Sequence, residues 1–264
     1  MRFLLALFLV AACSPGAPST SQEGDASRVI SLDYCADLYA LGLLPKERIL
    51  ALSPDAEGDF QYLQEEARGI RTIRAEAEEI LLARPDLVIR SYGGDTQLLG
   101  FLERAGIPVV NIGYAGSFDA IADTVLRVGS ELNAEPRAEQ LASALQTPPA
   151  PRKGKALYLT PSGATSGPGT LMDELLSRGG FENFEQRPGW RTLPLENLAY
   201  QTPDHIVTGF FDSEADFAGW WGPMRHTLAA GLLEDTPRTD LSGALLSCGA
   251  WPLAEAAKQL RAAP

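Results

Sequence analysis

The chain has 264 residues, enough for one large domain or two smaller ones that each bury a core. Hydrophobic residues make up 45% of it and charged residues 21%, which excludes a collagen-like or disordered chain. With 34 acidic and 22 basic residues the formal net charge is -12, the wrong sign for a partner of nucleic acid. Only two histidines are present, which argues against a histidine-rich zinc site.

The first twelve residues are typical of a signal peptide. Arg2 precedes an apolar run over 3–12 that is too short to span a bilayer. The run ends in Val10-Ala11-Ala12-Cys13, a match to the lipobox of bacterial lipoproteins, so we expect Cys13 to be acylated. The alternative is cleavage by the ordinary signal peptidase, with Cys13 removed or left as a spare thiol. Either route places the protein in the periplasm. On the lipoprotein route, 13–27 is a flexible tether and the lipid is the membrane contact.

Short apolar runs alternate with helical segments through the first half of the chain. The predicted strands are 29–32, 49–52, 87–89 and 109–112, and the predicted helices are 36–43, 77–83 and 96–105. This alternation is typical of βαβ units, which form a parallel sheet through right-handed crossovers. We therefore predict an N-terminal lobe over 28–116.

A helical segment separates this lobe from a second one. Ser117 is a typical N-cap for a helix, and a second helix is predicted from Pro136 to about Leu145, so 117–153 forms the link. The remainder, 154–264, repeats the pattern of the first half. Its predicted strands are 156–159, 205–208 and 244–246, and its predicted helices are 171–177 and 253–261. The predicted fold is α/β, with two Rossmann-like lobes of parallel-rich sheets, a linking helix and a ligand cleft between the lobes.

Two cysteines are predicted to point into the cleft. Ligands of open α/β sheets bind beyond the carboxyl ends of the strands, and Tyr34-Cys35 and Cys248 follow strands of different lobes. With Cys13 acylated, Cys35 and Cys248 are the two cysteines left in an oxidising compartment. Two alternatives remain open: a disulfide across the cleft, or two independent half-buried thiols.

Catalytic motifs are missing from the loops that follow the strands. The sequence contains no nucleophile elbow, P-loop or dinucleotide fingerprint. An exported hydrolase would need a nucleophile and a base. The candidates are Ser162 or Ser166 as the nucleophile and His205 as the base, but no motif spacing supports them. We therefore assign no catalytic residue, metal ligand or cofactor, and expect a binding protein.

Two related segments occur once in each half. Residues 78–89 read EEILLARPDLVI and residues 195–207 read LENLAYQTPDHIV, each with a glutamate seven residues before a Pro-Asp that opens a strand. Together with 28–32 and 106–110, these segments resemble the class III substrate-binding proteins of ABC importers for ferric siderophores and cobalamin. The resemblance covers nearly all of 28–264. It implies a helix-bridged, two-lobed monomer that captures a metal chelate and delivers it to a permease and its ATPase.

The resemblance also implies how the protein docks. In this family, one glutamate of each lobe contacts arginines of the permease subunits, and the matching residues here are Glu78 and Glu196. The alternative is that each is an acidic residue in the first turn of a helix, where the helix dipole favours it.

Ligand contacts are predicted at the mouth of the cleft. Trp190 matches a cleft aromatic of cobalamin-binding relatives, whereas Thr72 holds the corresponding place in the first lobe. Arginines near that place indicate a positive cleft wall suited to an anionic chelate, although they could instead be solvated partners of nearby glutamates. The predicted ligand residues are Tyr34, Arg71, Arg90, Tyr92 and Trp190. The expected ligand is a ferric siderophore or a corrinoid; a cobalamin-specific protein, and then a haem or metal-ion binding protein, are the alternatives.

Overall fold

The computed structural model describes residues 28–91, 96–148, 150–212 and 222–264. The predicted signal peptide, the tether with Cys13, and the predicted ligand residue Tyr92 lie outside these ranges. Within them, no helix has the length and apolar character needed to cross a bilayer.

The first half forms a four-stranded parallel sheet flanked by helices. Its strands are β1 (Val29–Ser31), β2 (Ile49–Ala51), β3 (Leu87–Arg90) and β4 (Val109–Asn111), and its helices are α1 (Tyr34–Leu43), α2 (Gln64–Ala67), α3 (Ala77–Ala83) and α4 (Thr96–Arg104). The strand order is β2-β1-β3-β4. Because α1 connects the parallel neighbours β1 and β2, and α4 connects β3 and β4, the sheet is built from the βαβ units that the sequence predicted.

Two antiparallel helices lead into the second half. They are α5 (Phe118–Glu131) and α6 (Glu135–Leu145), and the Ser117 hydroxyl caps α5 by accepting a hydrogen bond from the Ala120 N–H, as predicted. A Cβ at Gly129 would lie 2.2 Å from the Cβ of Ala138, so glycine is what lets the two helices pack this closely. The link is thus a helix pair.

The second half forms another four-stranded parallel sheet and a small two-stranded antiparallel sheet. Its strands are β5 (Gly154–Leu159), β6 (Ala164–Ser166), β7 (Phe181–Asn183), β8 (Trp190–Thr192), β9 (His205–Gly209) and β10 (Arg238–Leu241). Its helices are α7 (Leu171–Gly179), α8 (Leu195–Leu198), α9 (Thr227–Asp235), α10 (Gly243–Leu246) and α11 (Leu253–Ala262). The large sheet has the order β7-β5-β9-β10, and β6 pairs with β8. When the strands of each large sheet are numbered in chain order, their order across the sheet is second, first, third, fourth. The two lobes therefore share one topology.

The predicted strand over 244–246 is wrong. These residues form the short helix α10, which Ser242 caps by accepting a hydrogen bond from the Ala244 N–H. The edge strand is β10, whose Arg-Thr-Asp-Leu sequence lacks the apolar run of a central strand. The two-lobed α/β fold itself is confirmed.

One hydrophobic core runs through both lobes and the link. It joins Tyr39 of α1, Val125 of α5 and Leu145 of α6 to Leu175 of α7 and Leu260 of α11, all of which are almost fully buried. The lobes are therefore packed onto the same helix pair.

Candidate ligand-binding cleft

A cleft of about 460 Å³ opens between the carboxyl ends of the two sheets, a size usual for a small-molecule site. Residues of both lobes line it: Asp33, Tyr34, Cys35, Tyr39, Ser91, Ile112, Gly113, Tyr114 and Ala115 from the first, and Leu171, Met172, Trp190, Leu246, Ser247, Cys248 and Gly249 from the second. Two of the predicted ligand residues, Tyr34 and Trp190, are thus brought together.

Among the described residues that line the cleft, Asp33 is the only acidic one, and both of its carboxylate oxygens are used within the fold. One oxygen accepts a hydrogen bond from the Ala36 N–H at 2.9 Å and so caps α1. The other accepts from the Ser91 N–H at 2.8 Å, which ties the end of β1 to the end of β3. The carboxylate therefore organises the floor of the cleft.

Aromatic side chains form the walls. Trp190 on β8 is 57% exposed and meets the buried Tyr158 ring edge-on, with centroids 5.9 Å apart. Tyr114, which follows β4, is 75% exposed, and Tyr34 is half-buried in the first turn of α1. Sequence reasoning missed Tyr114, although its place directly after a predicted strand was the signal that could have found it. Such rings can cover the flat faces of a large ligand.

The predicted arginines do not join this lining. Arg71 is exposed beside the 46–50 segment, and Arg90 is 8% exposed at the end of β3. Arg74 pairs with Glu76 at 3.3 Å and donates from Nε to Glu79 at 2.8 Å. A positive wall built from Arg71, Arg74 and Arg90 is therefore absent from the described cleft lining.

A disulfide joins Cys35 to Cys248 across the cleft floor, with a Cα–Cα distance of 5.6 Å. Of the two alternatives for these cysteines, the structure thus has the paired one. Further contacts fasten the lobes beside it. The Ser247 hydroxyl donates to the Phe60 backbone oxygen at 2.8 Å, and the Phe60 and Phe210 rings meet edge-on at 5.8 Å.

Glu78 and Glu196 hold equivalent places in the two lobes. Each is the second residue of the helix that precedes the third strand of its sheet, α3 before β3 and α8 before β9. Both are exposed, and neither forms an ion pair with any described residue. The chain at Thr72 runs parallel to Leu52, just past the end of β2, so α3 begins at the cleft edge of its sheet.

The serine–histidine pair of a hydrolase is not assembled among the described residues. His205 bonds through Nε2 to the Thr239 hydroxyl at 2.8 Å and stacks on Phe181, while burial lowers the pKa of its imidazole. Ser162 lies 3.0 Å from the Thr160 hydroxyl, and the Ser166 hydroxyl is buried without a hydrogen-bond partner. The described ranges also contain no cluster of three or more His, Cys, Asp or Glu residues that could hold a metal ion.

Comparisons with known proteins agree with this architecture. Residues 29–211 match the periplasmic binding protein family. The uncharacterised ABC transporter substrate-binding lipoprotein YvrC of Bacillus subtilis is 24% identical over 188 residues, which covers 64% of this chain and 59% of that protein.

Solved structures share the fold at low sequence identity. A possible iron-binding periplasmic solute-binding protein of Staphylococcus epidermidis is 21% identical with a TM-score of 0.63, covering 90% of this chain and 98% of its own. A periplasmic haem-binding protein of Pseudomonas aeruginosa is 22% identical with a TM-score of 0.60, covering 90% and 92%. The vitamin B12-binding protein BtuF of Vibrio cholerae is 19% identical with a TM-score of 0.57, covering 90% and 96%. The family match spans more than half of the chain, and the chain belongs to the periplasmic binding protein family.

Proposed function

We propose that this chain is the solute-binding component of an ABC importer and that it captures a corrinoid such as cobalamin. It acts as a periplasmic monomer, tethered to the membrane through an acylated Cys13, and delivers its ligand to a permease and its ATPase. The family match, the similarity to a substrate-binding lipoprotein and the fold shared with a vitamin B12-binding protein support this proposal.

The absence of basic residues from the described cleft lining carries the choice of ligand. An anionic siderophore is best held by charge-assisted hydrogen bonds from arginine or lysine. The segments 92–95 and 213–221, which the structure does not describe, contain no arginine or lysine in the sequence either. A corrinoid with little net charge needs no such partner and offers broad apolar surface to aromatic rings.

The docking role of Glu78 and Glu196 is the second part of the proposal. Their equivalent positions, their exposure and the lack of ion-pair partners in the described residues leave two carboxylates available to a basic partner surface. Exposed charges of this kind set the rate and the register of association more than the affinity for a ligand in the cleft.

A titration with chemically distinct chelates tests the ligand. The mature protein is titrated with cyanocobalamin, haemin, a ferric triscatecholate and a ferric trihydroxamate, and tryptophan fluorescence reports binding. We expect cyanocobalamin to bind at one molecule per chain, and at least about tenfold more tightly than the ferric triscatecholate. Tightest binding of the triscatecholate would contradict the corrinoid assignment, because the described cleft offers that anion no basic partner.

A further inference from the structure

The two most exposed large apolar side chains of the described residues lie outside the cleft lining. Tyr200 is 90% exposed and Leu82 is 82% exposed. The next two, Tyr114 and Trp190, line the cleft, and the remaining exposed ones are at 41% or below. A single exposed apolar residue is ordinary on a protein surface, so the positions of Leu82 and Tyr200 decide whether they have a role.

Leu82 and Tyr200 hold matching positions in the two lobes. Each lies four residues after the unpaired glutamate of its lobe, Leu82 after Glu78 and Tyr200 after Glu196. Side chains four apart on a helix share one face, so α3 presents a carboxylate beside an apolar group.

The same arrangement extends past the end of α8. The Ala199 N–H donates to the Leu195 oxygen at 3.2 Å, and the Gln201 N–H donates to the Asn197 oxygen at 2.9 Å. The backbone therefore keeps its helical turn through Tyr200, whose side chain lies one turn beyond Glu196. Both lobes carry the same pair of chemical groups in the same order.

The charges around these pairs indicate a basic partner. In the first lobe Glu76 and Glu79 both form ion pairs with Arg74, whereas Glu78 and Glu196 have no ion-pair partner among the described residues. The chain as a whole is acidic, with a formal net charge of -12, so an anionic lipid surface would repel these patches. A protein surface with a basic group beside an apolar pocket complements them.

We propose that Glu78 with Leu82, and Glu196 with Tyr200, form two equivalent docking patches for the two subunits of the permease. Each permease subunit would offer one basic side chain and one apolar pocket, and the glutamate would steer association while the apolar side chain anchors the complex. This inference rests on the proposed function. The repetition of the patch in two lobes of one topology is what indicates a partner with two copies of the complementary site.

Binding kinetics can separate the two roles. The permease–ATPase complex is identified by photo-crosslinking from position 81 of the full chain, which is 39% exposed on α3 and leaves both proposed docking pairs intact. The crosslinking is done in membranes of the source organism, and the complex is then reconstituted in nanodiscs. For the double variant Leu82→Asn and Tyr200→Asn we expect dissociation 10- to 100-fold faster, with an unchanged association rate. The double variant Glu78→Gln and Glu196→Gln should instead associate more slowly and lose salt dependence.

A matched control tests whether removing any two large apolar side chains from the surface changes binding. Leu126 and Leu228 are each 41% exposed and lie outside the patches, so the double variant Leu126→Asn and Leu228→Asn should bind as wild type does. Thermal melts and the chelate titration verify that every variant is folded and holds ligand equally well.

The outcomes distinguish this inference from the proposed function. The Leu82 and Tyr200 variant could dissociate at the wild-type rate while the glutamate variant associates more slowly. That result overturns the apolar anchors and leaves the importer assignment intact. If the chain that carries the crosslinker at position 81 captures no permease complex, both are overturned. A third measurement uses protein-free vesicles of phosphatidylethanolamine and phosphatidylglycerol. If the wild type binds these vesicles and the Leu82 and Tyr200 variant does not, the patches bind lipid and the inference is also overturned.

Discussion

Cys35 at the start of α1 and Cys248 just after α10 are joined in a disulfide that links the two lobes across 213 residues of sequence. Both cysteines line the cleft, so the bond is part of its floor. Because the bond fixes the distance between the two walls at that point, the proposed ligand meets a cleft that is already formed. A preformed site loses less free energy to the ordering of its side chains on binding.

Removing this bond should destabilise the protein strongly. The chain-entropy model gives about 5 kcal/mol for a closed loop of this length, and the variant Cys35→Ala with Cys248→Ala should therefore unfold at a much lower guanidinium concentration. Wild-type protein unfolded in the presence of a reductant should approach the variant. Unfolding midpoints that are the same for oxidised wild type and variant would contradict this, as would two freely alkylated thiols in periplasm-matured protein.

The contact between α1 and Trp251 gives a second stability test. A Cβ at Gly42 would lie 2.3 Å from Cζ2 of Trp251, whose ring also meets Tyr39 edge-on at 5.1 Å. Gly42→Ala should thus overpack the contact between the lobes and cost about 1 to 3 kcal/mol in the free energy of unfolding. Gly231→Ala is the control, because its nearest atom would be 4.0 Å away and alanine favours a helix. Equal stability of the two variants would show that Trp251 moves aside freely.

Sequence patterns predicted the parts of the fold that depend on local order. The Ser117 cap, the helix over 77–83 and the apolar strands at 29–31, 87–89 and 205–208 are such features, and the structure has them, whereas the apolar run at 244–246 is helical. The two-stranded β6–β8 sheet was missed because its pairing joins Thr165 to Arg191, and neither short strand has an apolar pattern of its own. Long-range pairing of this kind leaves little local signal.

Arg90 shows which feature of the site could not be predicted from the sequence: the face of the sheet on which a side chain lies. Side chains two residues apart on a strand share a face, so Arg90 lies on the face of Val88. Val88 packs in a cluster with Ile80 of α3 and Leu98 of α4, away from the residues that line the cleft. A charge near a strand end is visible in the sequence, but the face it occupies depends on register, which only the assembled sheet defines.

Trp190 is the cleft residue whose loss should weaken ligand binding most clearly. Its ring is 57% exposed at the mouth of the cleft and rests on Tyr158, so it is held in place while one face stays free for a ligand. Trp190→Ala should weaken cyanocobalamin binding about tenfold, measured by calorimetry because the variant loses a fluorophore. Tyr62→Ala, a 39% exposed tyrosine outside the cleft lining, is the control and should bind as wild type does. Equal affinities for all three proteins would place the ligand elsewhere.

Charge reversal at the two glutamates proposed to dock the protein should separate uptake from capture. The variant Glu78→Lys with Glu196→Lys turns the steering charges against a basic permease surface, so we expect uptake of radiolabelled ligand by cells to be lost. Ligand affinity of the purified variant should stay within about twofold of wild type, because neither residue lines the cleft.

The same change in net charge at unrelated sites controls for electrostatics in general. Glu103 on α4 and Glu139 on α6 are exposed, and Glu103→Lys with Glu139→Lys should leave uptake unchanged. Normal uptake by the Glu78 and Glu196 variant would remove both residues from the docking surface.

Asp37 should make stability fall as the pH rises through weakly acidic values. Its side chain is fully buried in α1, where one carboxylate oxygen accepts from the Ser53 N–H at 2.9 Å and the other from the Ser53 hydroxyl at 2.5 Å. Burial raises the pKa of this carboxyl from 3.8 to about 6, while the hydrogen bonds from Ser53 oppose the shift. Between these two values the folded chain holds more protons than the unfolded chain, so this group lowers the free energy of unfolding as the pH rises from about 4 to about 6.

The variant Asp37→Asn isolates this effect because it removes the titrating group. The stability of the variant relative to wild type should increase by about 2 kcal/mol between pH 4 and pH 7, measured as the difference between their urea unfolding free energies at each pH. Ser53→Ala removes a hydrogen bond that favours the carboxylate, so in that variant the fall in stability should continue to a higher pH than in wild type. A difference between Asp37→Asn and wild type that stays constant across the range would show that Asp37 keeps the same pKa in the folded and unfolded chain, and that its buried position carries no electrostatic cost at neutral pH.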